Sequence, residues 1–423
     1  MKKAISILLT LAMLISCCSI FASAEKGTEK ANNYPFILVH GLGGWGQYDA
    51  ATETYPYWGS GAGMSEGSGD FVEFLRENGY EAYAVSVGPV NSAWDRACEI
   101  YAQLTGTVVD YGEAHSKAHN HARFGRSFEG QPLMGRVWSP DEPINLIGHS
   151  FGGPASRLFT SLMAFGDEDE IAATGKDTSP LFTGGHNSIH SCITLSAPHN
   201  GTQVSNILYD IEWPFYILVM LYNLIGATIG NDFMVFSLQM GHFGLTPKQG
   251  EKRTTFNLNK VQNYFSSGDN CYHDMTLRGA AELNESIKLV PETYYYSYST
   301  AATKTGFDGK QIIYSTVTPI FYISSAMLRI SEGKTYDGVK IEGDWAVNDG
   351  IVPLKSARYP LCDEATALSY EQSISSGETI ESGRWYYMKT LDGTDHFDFC
   401  GTRDYPTSFE DFYFSMIETA NAR

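Results

Sequence analysis

The sequence predicts an α/β protein whose central sheet is mainly parallel and carries helices on both faces. Several short apolar runs lack alternation of polar and apolar residues, which is typical of strands buried on both faces of a parallel sheet. Segments with helical periodicity lie between these runs, and alternation of strand and helix is the pattern of α/β folds. The predicted strands cover 34–39, 81–87, 143–147 and 191–195, and the predicted helices cover 70–77, 151–163 and 408–420.

Residues 1–24 have the pattern of a secretory signal peptide. Two lysines precede an almost unbroken apolar run at 4–16, and Ala-Ser-Ala at 22–24 supplies the small residues that signal peptidase recognises. The run is too short for a spanning helix. A second interpretation is processing before Cys17, which would leave a cell-surface lipoprotein. Both interpretations place the mature chain outside the cytoplasm. Cleavage after Ala24 leaves 25–423, a length that suits either two domains or one domain with insertions.

The acidic composition argues against several classes of partner. The chain has 29 Lys and Arg against 48 Asp and Glu, a formal net charge of −19. Such a surface disfavours binding of nucleic acid, or of anionic membranes through charge. Seven cysteines are present, and Cys17 and Cys18 lie in the predicted signal peptide. The other five are widely spaced and odd in number, so we expect no disulfide framework, although a single bridge stays open.

An uncharged segment at 213–230 is rich in Phe, Tyr, Leu and Ile. We interpret it as part of an apolar lid, at about 203–245, that covers a hydrophobic site. A buried core helix and a transmembrane helix are the alternatives. Pro214, Asn223 and Gly226 interrupt the segment, which disfavours the transmembrane interpretation.

Two serines lie in a G-x-S-x-G pattern, and their contexts differ. Ser65 lies in a Gly-rich segment with no strand before it, which indicates a loop. Ser150 follows a predicted strand and precedes a predicted helix. That context is required by the nucleophile elbow, the sharp turn that carries the reactive serine of the α/β-hydrolase fold. We therefore predict that Ser150 is a nucleophile, the alternative being an ordinary Gly-rich turn.

The other parts of such a site follow in the expected order. Two backbone N–H groups form the oxyanion hole of this fold, one after the nucleophile and one in a loop after an early strand, which here indicates Phe151 and Leu42. The acid and then the histidine come later in the chain. His396 is the only histidine near the C-terminus, and Asp349 follows an apolar stretch in a predicted turn, with Asp344 as a nearby competitor.

These residues, with several longer strings, resemble the large secreted lipases of Gram-positive bacteria, the thermoalkalophilic and staphylococcal groups. The resemblance runs from about residue 35 to the C-terminal helix and thins at 203–260 and 355–390. It implies one α/β-hydrolase domain over 25–423, with a zinc-bearing insertion at about 92–125 and the lid, and it implies a triad of Ser150, Asp349 and His396. The most specific strings are VGPVNSAWDRACE at 87–99, VDYGEAH at 109–115, HARFGR at 121–126, SPLFTGGH at 179–186 and APHNGT at 197–202.

The resemblance also implies two structural metal sites. Two imidazoles and two carboxylates would form a closed tetrahedral zinc site. His119 and His273 compete for places in it when spacing alone is considered. An all-oxygen calcium site is less well matched, because this chain has one extra residue between the two carboxylates. The implied zinc ligands are Asp95, His115, His121 and Asp274, and the implied calcium ligands are Gly306, Asp398, Asp404 and Tyr405.

The function expected from these residues is hydrolysis of carboxylic esters. The apolar 203–245 region favours a secreted triacylglycerol lipase that acts at a lipid–water interface, and no obligate protein partner is implied. A phospholipase or a short-chain carboxylesterase would use the same residues. A non-catalytic binding protein on this fold would normally lack a member of the triad, whereas all three are present.

Overall fold

The computed structural model describes residues 33–49, 56–60, 69–211, 238–245, 258–364, 366–403 and 409–423. The predicted signal peptide, Ser65, most of the predicted lid and the predicted ligands Asp404 and Tyr405 lie outside these residues. Within the described ranges, no helix has both the length and the apolar character needed to cross a membrane.

A seven-stranded sheet forms the centre of the molecule, and all of its neighbouring strands are parallel. Within the described ranges, three short two-stranded antiparallel sheets lie outside it. The strands are β1 (Phe36–Val39), β2 (Ala82–Val85), β3 (Val108–Asp110), β4 (Phe124–Ser127), β5 (Ile144–His149), β6 (Ile189–Leu195), β7 (Tyr294–Ala301), β8 (Thr303–Thr305), β9 (Gln311–Ile313), β10 (Thr335–Tyr336), β11 (Val339–Lys340), β12 (Leu368–Ser369) and β13 (Trp385–Asp392). The order across the sheet is β12-β13-β7-β6-β5-β1-β2.

Helices follow most of the sheet strands and cover the sheet. The α-helices are α1 (Phe71–Glu77), α2 (Ala93–Thr105), α3 (Glu113–His119), α4 (Gly152–Phe165), α5 (Glu168–Thr174), α6 (Pro180–Thr183), α7 (Gln203–Ile211), α8 (Leu258–Ser266), α9 (Cys271–Asp274), α10 (Leu277–Ser286), α11 (Tyr322–Ser331), α12 (Leu354–Arg358), α13 (Tyr370–Ser376) and α14 (Phe409–Asn421). Short 3-10 turns occupy Gly175–Asp177, Pro319–Phe321, Gly343–Trp345, Leu361–Asp363 and Asp398–Cys400.

The side chains of β1 show that both faces of the sheet are buried. Ile37 and Val39 pack into a cluster with residues of α2 and α4. Phe36 and Leu38 point to the other face, where they join residues of α1 and α14. All four are fully buried. An unbroken apolar strand of this kind fits only between two helical layers, so the predicted fold class is confirmed.

The four strands predicted from apolar runs correspond to β1, β2, β5 and β6. Three further strands, β7, β12 and β13, complete one side of the sheet and were not predicted from the sequence. The five cysteines in the described ranges are all free thiols, so none of them forms the bridge that the sequence left open.

Parallel pairing determines where a site can form. β5 lies between β1 and β6, and the carboxyl ends of these strands lie at the same edge of the sheet. In open α/β sheets this edge is where ligands bind. The turn after β1, which contains Gly41, and the turn after β5, which contains Ser150, therefore meet there.

Candidate active site and metal centre

Ser150 occupies the turn between β5 and α4 with a left-handed backbone, at φ 54°. A non-glycine residue in this region is strained, and such strain is a feature of nucleophile elbows. The flanking glycines allow the close contacts of the turn. A Cβ atom on Gly148 would lie 2.5 Å from the Gly152 carbonyl oxygen, and one on Gly152 would lie 2.1 Å from the Val39 carbonyl oxygen. Only glycine therefore fits at either position.

The loop after β1 lies directly against Ser150. A Cβ atom added to Gly41 would lie 2.6 Å from the Ser150 Cβ and 3.1 Å from its Oγ. In the described part of the chain, neither Leu42 nor Phe151 donates its amide N–H to an acceptor. The two amides predicted to form the oxyanion hole thus belong to segments that flank Ser150, and both remain available for a ligand.

Arg96 of α2 binds the backbone of this loop. Its guanidinium donates hydrogen bonds to the carbonyl oxygens of His40 at 2.9 Å, Gly41 at 3.2 Å and Pro89 at 2.9 Å. It also lies over the Phe151 ring, 4.9 Å from the ring centroid. The side chain is fully buried, and this burial lowers its pKa. Because the guanidinium binds the carbonyl oxygens of the loop, it fixes the peptide orientation on which the adjacent N–H groups depend.

His396 and Asp349 form a buried pair. Nδ1 of His396 lies 2.7 Å from Oδ2 of Asp349. That oxygen also accepts from the Thr300 hydroxyl at 3.1 Å, while Oδ1 accepts from the amides of Ile351 and Val352 at 3.1 and 2.8 Å. The carboxylate thus accepts four hydrogen bonds and is held in one orientation. Because a carboxylate only accepts, Nδ1 of His396 carries the ring proton of the neutral imidazole. Nε2 is then able to act as a base.

Asp344, the competing acid, lies elsewhere. Its Oδ2 is 2.5 Å from the Arg358 guanidinium, and its side chain is 45% exposed. It belongs to a surface ion pair and has no contact with His396.

His149, which precedes Ser150, connects the two halves of the site. Its ring lies 4.7 Å from the His396 ring, and its Nε2 donates to the His396 carbonyl oxygen at 2.9 Å. Because a carbonyl only accepts, Nε2 carries the proton, and Nδ1 accepts from the Tyr57 hydroxyl at 2.6 Å. Burial holds the pKa of His149 well below its ordinary value. The contact places the His396 ring beside His149, the residue that precedes Ser150. In the described ranges no hydrogen bond joins the side chains of Ser150 and His396.

A second cluster has the composition of a metal site. Asp95, His115, His121 and Asp269 each offer one ligand atom, and these atoms lie within 4.8 Å of one another. His115 Nε2 and His121 Nε2 lie 3.2 and 3.1 Å from Oδ2 of Asp269. The four atoms Asp95 Oδ1, His115 Nε2, His121 Nε2 and Asp269 Oδ2 are buried without a hydrogen-bond partner. Buried polar atoms are rarely left unsatisfied, so their convergence fits a cation.

The surrounding residues orient these ligands. His242 Nε2 lies 2.8 Å from Oδ2 of Asp95 and leaves Oδ1 directed at the cluster. The buried Glu170 carboxylate accepts from the first three amides of α3, those of Glu113, Ala114 and His115, at 2.6 to 3.1 Å. Outer partners of this kind are usual around metal ligands.

The resemblance implied Asp274 as the fourth ligand, but the fourth member of the cluster is Asp269. Oδ2 of Asp274 accepts from the Ala93 amide at 2.8 Å and so caps α2, while Oδ1 lies 3.7 Å from His273 Nδ1. Asp274 is close to the cluster without offering it an atom. Neither His119 nor His273 is a member of the cluster. Nδ1 of His119 lies 2.8 Å from the Ser267 carbonyl oxygen instead.

The described half of the implied calcium site does not fit calcium. Both carboxylate oxygens of Asp398 are bonded to the Arg403 guanidinium, at 3.0 and 2.6 Å. The Gly306 carbonyl oxygen accepts from the Gly309 amide at 3.0 Å within the β8–β9 hairpin. Both groups are therefore bonded to donors of this chain.

Four residues at these sites were missed from the sequence: Tyr57, Arg96, His149 and Asp269. Arg96 and His149 lie inside the motifs that were singled out, so their neighbours carried a signal. Tyr57 and Asp269 carry none, because only the folded chain brings them to the site.

Comparisons with known proteins agree with this architecture. The sequence matches the family described as "Lipase-like, C-terminal domain" over residues 32–419. A lipase of Staphylococcus epidermidis is 32% identical over 387 residues, which are 89% of this chain and 51% of that protein. The chain thus spans about half the length of this curated relative.

Two solved structures are similar over nearly the whole chain. Staphylococcus hyicus lipase has a TM-score of 0.76 at 30% identity, covering 95% of this chain and 100% of that one. EstA from Clostridium botulinum has a TM-score of 0.75 at 32% identity, covering 94% and 88%. The parallel sheet with its surrounding helices is the α/β-hydrolase fold of these proteins. The resemblance noted from the motifs is confirmed, and the chain belongs to the family of lipase-like C-terminal domains.

Proposed function

We propose that this chain is a secreted triacylglycerol lipase that hydrolyses esters of long-chain acylglycerols through Ser150, His396 and Asp349. The observation that carries the proposal is the buried His396–Asp349 pair, whose histidine ring lies 4.7 Å from the ring of His149, the residue before the strained Ser150. The names of the relatives favour the same activity. Export is proposed from the pattern at 1–24.

The reaction uses two steps at one serine. Nε2 of His396 takes the Ser150 proton as Oγ attacks the ester carbonyl, and Asp349 stabilises the imidazolium that results. The imidazolium then gives the proton to the departing alcohol, which leaves an acyl group on Ser150. Water, activated by His396, attacks this acyl-enzyme and releases the fatty acid.

The amides of Leu42 and Phe151 would stabilise the negative oxygen of each tetrahedral intermediate. Two observations support this role for the amides: Gly41 lies in close contact with Ser150, and Arg96 fixes the loop. Removing one such donor typically lowers the rate by about a hundredfold or more. The donors are effective because the loop is fixed before substrate binds, so that no reorganisation is needed during the reaction.

We further propose that the metal cluster holds zinc through Asp95, His115, His121 and Asp269. Two nitrogen and two oxygen ligands suit a closed, structural zinc site. A bound zinc would neutralise the two buried carboxylates and join α2 and α3 to the segment before α9. It supplies structure and takes no part in the ester chemistry.

The test is fatty-acid release from an emulsified long-chain triacylglycerol and from a soluble short-chain ester. We expect wild type to act on the emulsion and Ser150→Ala to be inactive on both substrates. Ser65→Ala, which alters the other G-x-S-x-G serine, is the matched control and should retain activity.

The two substrates separate the alternatives. Activity on the soluble ester alone would make the protein a carboxylesterase with the same nucleophile. Release from phospholipid vesicles in preference to triacylglycerol would make it a phospholipase. Activity that persists in Ser150→Ala would reject the proposed site.

A further inference from the structure

The loop that carries His396 contains two buried carboxylates. Asp395 and Asp398 lie on either side of His396 in the sequence, and their side chains are 0% and 2% exposed. Two ionised carboxylates this deeply buried require compensation, either by a cation or by hydrogen-bond donors. The compensation determines what holds the His396 loop in place.

Arg403 supplies a cation from the same chain. Its Nε donates to Oδ1 of Asp398 at 3.0 Å, and one terminal nitrogen donates to Oδ2 at 2.6 Å. The same nitrogen reaches Oδ2 of Asp395 at 3.3 Å. The guanidinium therefore bridges the residues on both sides of His396. A paired contact of this kind is the strongest that arginine forms with a carboxylate.

Uncharged donors complete the network. Oδ2 of Asp395 accepts from the amide and the hydroxyl of Thr318, both at 2.7 Å, and Oδ1 accepts from the Phe397 amide at 3.0 Å. Oδ2 of Asp398 also accepts from the Asp395 amide at 2.7 Å. Each carboxylate oxygen has at least one donor.

We propose that Arg403 performs in this chain the bracing role that a calcium ion would otherwise perform at the His396 loop, and that the protein is stable without calcium. The guanidinium occupies both oxygens of Asp398, and calcium would need at least one of them as a ligand. The Gly306 carbonyl, the other implied ligand among the described residues, is bonded within its own hairpin. Arg403 is thus a positioning residue for His396.

The first experiment requires no variant. Wild-type protein is freed of metal on a chelating resin and reloaded with zinc, and its metal content is verified by mass spectrometry. Calcium chloride is then titrated by calorimetry, and the Tm is measured with and without millimolar calcium. We expect neither a binding heat nor a change in Tm. Binding of one calcium ion with a rise in Tm, both lost in Asp398→Asn, would overturn the proposal.

The second experiment tests the guanidinium. We expect Arg403→Ala to lower the Tm and to reduce kcat on a soluble ester roughly ten- to a hundredfold with little change in KM, because a displaced His396 affects the chemical step. Arg403→Lys should recover part of both losses, since lysine restores the charge but not the paired contact. Arg278→Ala, which removes an exposed arginine paired with Asp337 at 3.6 Å, is the control.

Unchanged Tm and kcat in Arg403→Ala would also overturn the proposal. The kcat measurement rests on the proposed role of His396, whereas the calcium titration does not. If the proposed function is wrong, Ser150→Ala will keep its activity. That outcome would not affect the result of the calcium titration.

Discussion

The Tyr57 hydroxyl and Nδ1 of His149 are joined by a buried hydrogen bond of 2.6 Å. The same hydroxyl accepts from the Gly41 amide at 3.0 Å, and the other nitrogen of His149 donates to the His396 carbonyl oxygen. A single chain of hydrogen bonds therefore runs from the loop beside Ser150 to the loop that carries His396.

Tyr57→Phe should weaken both loops at once. The change leaves the Gly41 amide buried without a partner and leaves Nδ1 of His149 with only the Cys400 thiol, at 3.3 Å. We therefore expect a loss of about 1–3 kcal/mol in the free energy of unfolding. We also expect kcat to fall about tenfold or more, because small displacements at a reaction centre have large effects. Denaturant unfolding and ester hydrolysis measure the two effects. Tyr101→Phe is the control, and equal behaviour of the two variants would contradict the prediction.

Asp349 and Asp344 are five residues apart and have opposite environments. Asp349→Asn keeps the shape but removes the charge that orients His396, and we expect kcat to fall about a thousandfold or more. Asp344→Asn alters only a surface ion pair and should change kcat less than about twofold. Steady-state kinetics on a soluble ester compares them, and a larger loss in Asp344→Asn would reverse the assignment.

Asp269 and Asp274 are distinguished by metal content. Asp269→Asn removes a charged ligand atom, so the purified protein should lose most of its bound zinc. Asp274→Asn keeps a side-chain oxygen that can accept from the Ala93 amide, so it should cost little stability and should retain the metal. Elemental analysis of both purified variants decides the matter. Zinc lost only from Asp274→Asn would restore the ligand that the family resemblance first implied.

His40 gives the protein a defined sensitivity to acid. Burial, assisted by the charge of Arg96, lowers the pKa of His40 to about 3. The unfolded chain takes up a proton near pH 6.5, whereas the folded chain does not until about pH 3. Unfolding is therefore favoured as the pH falls below 6.5, by about 1.4 kcal/mol per pH unit for this one group.

His40→Asn removes this titration. From pH 7.5 to pH 5, the variant should lose about 2 kcal/mol less of its unfolding free energy than wild type loses. Denaturant unfolding at the two pH values gives the difference directly, and the other titrating groups cancel in the comparison. Parallel pH profiles for the two proteins would show that His40 is charged in the folded state or exposed.

The parts of the fold that were predicted are those with a strong local pattern. β1 and β5 are apolar runs that end in Gly-rich turns, and the elbow at Ser150 requires small residues at fixed positions. β7 was missed because its sequence, YYYSYSTA, consists of tyrosines and small, mostly polar residues and contains no aliphatic run. Three of its four tyrosines are buried by packing that only the assembled sheet provides.

The candidate metal ligands also show how far local sequence patterns can predict a site. Asp95, His115 and His121 lie in motifs that the family resemblance identified, whereas the fourth ligand lies about 150 residues later along the chain. Two aspartates five residues apart, Asp269 and Asp274, both approach α2. The geometry of the turn before α9 directs one to the metal and the other to the helix end, and local sequence does not encode that choice.

One helix serves both sites. Asp95 and Arg96 are consecutive in α2, and successive residues of a helix point about 100° apart. Asp95 is directed at the metal cluster and Arg96 at the carbonyl oxygens beside Ser150. If the cluster binds a metal and Ser150 is the nucleophile, as proposed, removal of the metal by a chelating agent should lower turnover through α2. Such a loss would not involve competition with the substrate, and raising the substrate concentration should not reverse it.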